Sequence, residues 1–150
     1  MKKYDVTDEV IIEASAELVY KAVIACYEGT NNWWMPYLSS KLLKGNSGSE
    51  IGALYKVTIH GIPQVSFITE TLEVHINEII RVKYIKGAFE GEGLWEFKTT
   101  GNKTILTFRW TVSPKVLPLQ IISFFYPLNK SHSAVMQKGF ENLKKVLEQN

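Results

Sequence analysis

From about residue 39 to residue 112 the chain alternates apolar and polar residues in six short runs, and this pattern limits what it can fold into. The runs cover 39–44, 52–60, 64–74, 79–86, 90–99 and 103–113, separated by GNSGSE, HGIP, HINE, KGAFEG and TGN. Glycine, proline, asparagine and serine in gaps of this length make tight turns. So short a connection joins consecutive strands only as antiparallel hairpins, because a parallel link needs a crossover of about a dozen residues or more. In GLWEFK, Trp95 and Phe97 face one way and Leu94, Glu96 and Lys98 the other. In TILTFRWTV, Leu106, Phe108 and Trp110 oppose Thr107, Arg109 and Thr111. A sheet with one solvated face needs something to cover the other.

The C-terminal segment SHSAVMQKGFENLKKVLEQ is the expected cover. Val135, Met136, Gly139, Phe140, Leu143, Val146 and Leu147 form an apolar stripe at helical spacing, and His132 falls on it. The preceding PLQIISFFY can extend the helix backwards, with Pro127 as a kink or break. Near the N-terminus, EVIIEAS reads as a strand. Ser15 then suits a helix N-cap and Glu17 the first turn. Leu18, Val19, Ala22, Val23 and Cys26 predict a short amphipathic helix over 16–26. GTNNWWMPYL follows, with room for one further helical turn. The order is strand, short helices, six strands, long helix: an α+β domain spanning 1–150.

Composition narrows the function classes. With 150 residues, 45% hydrophobic and 21% charged, the chain supports one substantial core and not two. A net charge of +2 with interspersed signs gives no basic field, so no nucleic-acid partner is expected. The single Cys26 permits neither an internal disulfide nor a cysteine metal cluster, and suits a reducing cytoplasm. MKKYDVTDEV has no apolar run behind its lysines and is not a secretory signal. VLPLQIISFFYPL, residues 116–128, is too short to span a bilayer and carries two prolines. A soluble cytoplasmic protein is expected, without an integral membrane segment, though transient membrane contact is compatible with the sequence.

Several stretches resemble a known superfamily. VIIEASAELVYKAV is similar to the opening of polyketide cyclase/START/birch-pollen-allergen (SRPBCC) proteins, where a strand ending in Ala-Ser or Ala-Pro leads into a helix carrying Val and an aromatic, here Val19 and Tyr20. WWMPYL stands where such proteins often carry tryptophan before the second strand. EGEGLWEFKTTGNKTILTFRWTV resembles their closing hairpin, and GFENLKKVLEQ the end of their last helix. The resemblance implies a helix-grip fold: a seven-stranded antiparallel sheet wrapped around the long C-terminal helix, with two short helices after the first strand and a cavity between. It also implies binding or transport of a small hydrophobic ligand such as a lipid, quinone or polyketide. The alternatives are a polyketide cyclase or dehydratase, and a co-chaperone or ribosome-associated factor. Fold alone does not choose among them.

The expected site follows from the inward face. In a helix-grip fold Trp95, Phe97, Phe108 and Trp110 serve as core and cavity wall at once. Tyr55 and Tyr84 join them, each phenol wanting a partner for its hydroxyl, and Met136 faces them from the helix stripe. Trp33 and Trp34 have two readings: packing the first helix onto the sheet, or closing the cavity mouth. In the second reading they form an aromatic gate with Phe124 and Phe125, pivoting at Pro127. His132 is the one candidate for acid–base work. On an apolar stripe a histidine is more commonly a satisfied interior residue; facing a cavity, it bonds a ligand or moves a proton. His60 and His75 fall in turns. No metal site is expected, since the histidines are far apart and no Cys/His cluster exists, and no cofactor is implied. Cys26 reads as an inert buried thiol, and Glu90 with Glu92 as a solvated edge. Gly139, mid-helix, costs roughly 1 kcal/mol relative to alanine. It therefore predicts a close approach to the sheet, or room for ligand.

Overall fold

The computed structural model describes residues 3–61, 64–87, 89–115 and 128–149. The elements run β1 (Tyr4–Ile12), α1 (Ala16–Glu28), β2 (Leu38–Lys44), β3 (Leu54–Ile59), β4 (Val65–His75), β5 (Ile79–Gly87), β6 (Phe89–Thr100), β7 (Lys103–Pro114) and α2 (Leu128–Glu148). The seven strands form one sheet in the order β1-β7-β6-β5-β4-β3-β2, every neighbouring pair antiparallel. Five consecutive hairpins carry β2 through β7, and β1 adds itself to the free edge of β7. This is the helix-grip arrangement that the superfamily resemblance implies, built on the antiparallel hairpins and covering helix that the alternation and the C-terminal stripe predict.

Local chemistry sets the ends of α1. The Ser15 side chain accepts from the Leu18 amide at 3.3 Å, and Gly29 at φ +81° closes the helix in the left-handed conformation that glycine tolerates. The helix continues two residues past the expected end, to Glu28. The second short helix does not form among the described residues. Residues 33–37 are a turn, held by bonds from the Met35 amide to Asn32 O and from the Tyr37 and Leu38 amides to Trp34 O. Pro36 has no N–H with which to continue a helical ladder there.

The long helix α2 buries Met136, Phe140 and Leu143 in the core and Gly139 against Trp34, while Val146 lies at the exposed margin of the stripe. Its C-terminal end is tied to the end of β1 and the residue after it: Lys144 Nζ donates to Ile11 O at 2.7 Å and the Glu13 amide donates to Glu148 at 2.7 Å. Segment 116–127, with Phe124, Phe125 and the Pro127 pivot, lies outside the described residues. No helix among the described residues is long and apolar enough to cross a membrane.

Candidate functional site

An interior cavity lies between the sheet, the C-terminal half of α1, the Trp33–Trp34 turn and α2. The gaps around it total about 620 Å³, partly continuous with solvent, but the centre of a water-sized sphere can occupy only about 40 Å³. The smaller figure decides what fits without movement: on the order of one to three water molecules. The void is narrow because aromatic rings fill most of the space a lipid would need.

Eight of the residues expected at the site line this cavity: Trp33, Trp34, Tyr84, Trp95, Phe108, Trp110, His132 and Met136. Two do not. Phe97 is packed against Tyr20 of α1, ring centroids 5.3 Å apart, and Tyr55 lies under Tyr27 at 5.2 Å. Both are core, because α1 crosses the sheet at their level and separates them from the void. Burial pushes the Tyr55 phenol up to about 12. Phe125 lies outside the described residues. His60 and His75 are surface residues bonded to Ser39 and Glu73. Burial raises the Cys26 thiol to about 12, which keeps it protonated.

The two adjacent tryptophans are both structural and cavity-lining. Their rings stack at 4.9 Å and 16°, and they are only 5% and 4% exposed. Trp33 Nε1 donates to Ala22 O on α1 at 2.8 Å, and Trp34 Nε1 donates to Val135 O on α2 at 3.0 Å. Asn142 of α2 donates its amide to both Trp33 O and Met35 O. The pair thus bridges the two helices. Gly139 is explained by the same contact. A Cβ there would sit 2.1 Å from Trp34 Nε1, so the indole occupies the space a side chain would take. The close approach expected at Gly139 is therefore made by Trp34 and not by the sheet.

The polar groups of the wall are few. Trp95 Nε1 donates to the Tyr27 hydroxyl at 2.8 Å. Burial raises both the Tyr27 and Tyr84 phenols, so each keeps a proton to donate. Thr69 Oγ1 is buried with no hydrogen-bond partner among the described residues. His132 stacks flat on Trp110, centroids 3.9 Å apart at 6°, and its side chain is 10% exposed. Behind it lies Asp8, a buried carboxylate on β1, with Nδ1 of His132 3.7 Å from Asp8 Oδ2. Burial lowers the His132 pKa, Asp8 opposing only in part, so the imidazole is neutral at neutral pH. Burial acts to raise the Asp8 carboxyl, but the facing His132, Ser133 and Gln137 outweigh it and hold it below its ordinary range.

Sequence reasoning missed Tyr27, Phe67, Phe89 and Asp8. Tyr27 extends the Val19–Val23 spacing by one more turn, and Asp8 sits in the inward phase of β1, so both carried a readable signal.

The fold is shared with known proteins. The crystal structure of Ara h 8.0201 superposes with a TM-score of 0.73 at 12% identity, covering 99% of this chain and 100% of that one. A START superfamily protein from Mycobacterium smegmatis gives 0.74 at 18% identity over 97% of both chains. Protein TTHA0849 from Thermus thermophilus gives 0.69 at 16%, covering 95% of this chain and 99% of that one. At these identities the likeness speaks for fold alone. No curated protein sequence matches. The family model described as polyketide cyclase/dehydrase and lipid transport matches residues 3–148, nearly the whole chain, and the protein belongs to that family.

Proposed function

We propose that the protein binds a small, mostly apolar ligand of lipid, quinone or polyketide-like chemistry in this interior cavity, in a cytoplasmic setting. The observation that carries the reading is the wall itself. Trp33, Trp34, Trp95, Phe108 and Trp110 converge on a void that retains only a few polar groups, among them Tyr27, Tyr84 and His132. An apolar occupant gains roughly 25 cal/mol per Å² of surface removed from water, and the polar groups fix its orientation. A ligand of ordinary size needs more space than the closed void offers. Met136, unbranched and adaptable, is the wall residue best suited to yield.

The test is uptake of N-phenyl-1-naphthylamine, read by its fluorescence and by quenching of the wall tryptophans. Saturable binding is expected, and Val57→Phe, which fills the void from β3, should weaken it about tenfold with the fold retained. Absence of uptake by the wild type would favour the alternative of a co-chaperone or ribosome-associated factor, an interaction protein whose interior is simply filled. The cyclase or dehydratase reading is supported by one observation, the neutral His132 in the cavity wall. It requires turnover of an enolisable polyketide-like carbonyl compound that is lost in His132→Phe.

A further inference from the structure

We propose that Asp8 and His132 form a hydrogen-bond-accepting anchor for a hydroxyl group on the ligand, so that the cavity selects hydroxylated aromatic or enolic molecules over their ethers. The inference rests on the ligand-binding reading and adds the chemical class.

The argument begins at β1. Residues Tyr4, Val6, Asp8, Val10 and Ile12 share the inward phase of the strand, and Asp8 is the one charged group among them. It is 5% exposed. Such a carboxylate needs partners, and α2 supplies them. Ser133 Oγ donates to Asp8 Oδ2 at 3.2 Å, and Gln137 Nε2, one turn on, approaches Asp8 Oδ1 at 3.5 Å. His132 presents Nδ1 to the same carboxylate at 3.7 Å, an ion-pair distance too long for a hydrogen bond, and among the described residues Nδ1 has no other partner.

An ionised carboxylate facing Nδ1 places the ring proton there, which leaves Nε2 with its lone pair. The ring is locked flat against Trp110, so it cannot turn without losing that stack. Asp8 is not among the cavity-lining residues, whereas His132 is. The carboxylate is therefore the positioning group, and the imidazole is the group a ligand meets. An apolar wall with a fixed acceptor favours a ligand that brings a donor, because an ether in the same place leaves Nε2 unpaired. The neutral state of the buried imidazole agrees with this role, since a protonated ring would have no acceptor to offer.

The experiment uses the purified full chain and two matched compounds, 2-naphthol and 2-methoxynaphthalene, titrated by calorimetry. One hydrogen bond to a desolvated acceptor predicts about fivefold to tenfold tighter binding of the naphthol by the wild type. In His132→Phe that preference should fall below about twofold while the ether still binds; in Asp8→Asn it should be intermediate. Nitrogen-15 NMR of the wild-type imidazole should show the Nδ1–H tautomer, with the Nε2 resonance moving when naphthol is added. This measurement stands even where Asp8→Asn fails to fold. Equal wild-type affinity for the two compounds, a preference that survives His132→Phe, or an Nε2–H tautomer would each overturn the anchor and leave ligand binding intact. Failure of the wild type to bind either compound would overturn both readings.

Discussion

Gly139→Ala is a small change with an unusual expected sign. In an exposed helix interior the substitution stabilises by about 1 kcal/mol, because alanine restricts the unfolded chain and has the better helical propensity. Here the new Cβ would lie 2.1 Å from Trp34 Nε1, 2.2 Å from Cε2 and 2.6 Å from Cδ1. An indole is rigid, and this one is stacked on Trp33 at 4.9 Å and bonded to Val135 O at 3.0 Å. Overpacking of this kind costs roughly 1–3 kcal/mol. If the ring moves away, its buried N–H loses its acceptor at a further cost of about 1–3 kcal/mol. Against the helical gain, the net effect is a destabilisation of about 2 kcal/mol, or roughly 4–8 °C in Tm for a chain of this length. Urea denaturation of four proteins tests it: wild type, Gly139→Ala, Trp34→Leu and the double variant. In the Trp34→Leu background the space is free, so Gly139→Ala should become neutral or stabilising, with a coupling of about 2–3 kcal/mol. A stabilised Gly139→Ala single variant would refute the contact on which the reasoning rests.

Tyr27→Phe should cost about 1–3 kcal/mol, because Trp95 Nε1 loses its 2.8 Å acceptor inside the core; an unchanged urea midpoint would show that the indole finds another partner. The pH dependence of stability has a defined sign. The His132 pKa is lower in the folded state than its ordinary 6.5, so the unfolded chain takes up the proton more readily, and stability falls as pH drops below about 7. His132→Phe should flatten the stability profile between about pH 7.5 and 5, and an undiminished slope would contradict it. Asp8, held below its ordinary 3.8, contributes stability that is present above that value and lost only at more acid pH. Cys26, buried on α1 with its thiol raised to about 12, should resist Ellman's reagent in the native state; rapid labelling would mean that α1 opens readily.

The sheet is legible in the sequence because its signal is periodic and repeated. A period of two with turns at each end specifies hairpins whatever the tertiary detail, and the β6–β7 register pairs Trp95 with Phe108 as the alternation requires. The closing of the sheet by β1 against β7 follows from no local pattern and comes instead from the superfamily likeness. The second short helix is a misreading, because GTNNWWMPYL carries apolar mass without a helical period. Its order comes from long-range bonds to α1 and α2 that no local rule anticipates. Ending α1 two residues short is a small error, but it hides Tyr27, whose ring meets both Tyr55 and Trp95.

The division of the inward face into wall and core follows from where the helices cross it. Tyr84, Thr69 and Tyr55 form one row across β5, β4 and β3, all facing inward. Tyr84 and Thr69 reach the cavity, whereas Tyr55 is covered by Tyr27 of α1. Trp95 and Phe97 share a phase of β6, yet α1 lies over the second of them. Strand phase is a local property and is readable from sequence; helix placement depends on long-range contacts, among them those of the tryptophan pair. Trp33 is bonded to α1 and Trp34 to α2, and stacking holds the two rings together. That brace fixes the distance between the helices and keeps the sheet's aromatic face from being packed shut. A connecting loop would have no use for two indoles, but a strut between two helices does. The void of about 40 Å³ beneath it is sustained at a cost of about 1 kcal/mol in lost packing. The same rings therefore stabilise the fold and shape the cavity, so a variant at Trp34 is expected to alter stability and ligand affinity together. His132, whose Nδ1 has no hydrogen-bond partner among the described residues, separates the two.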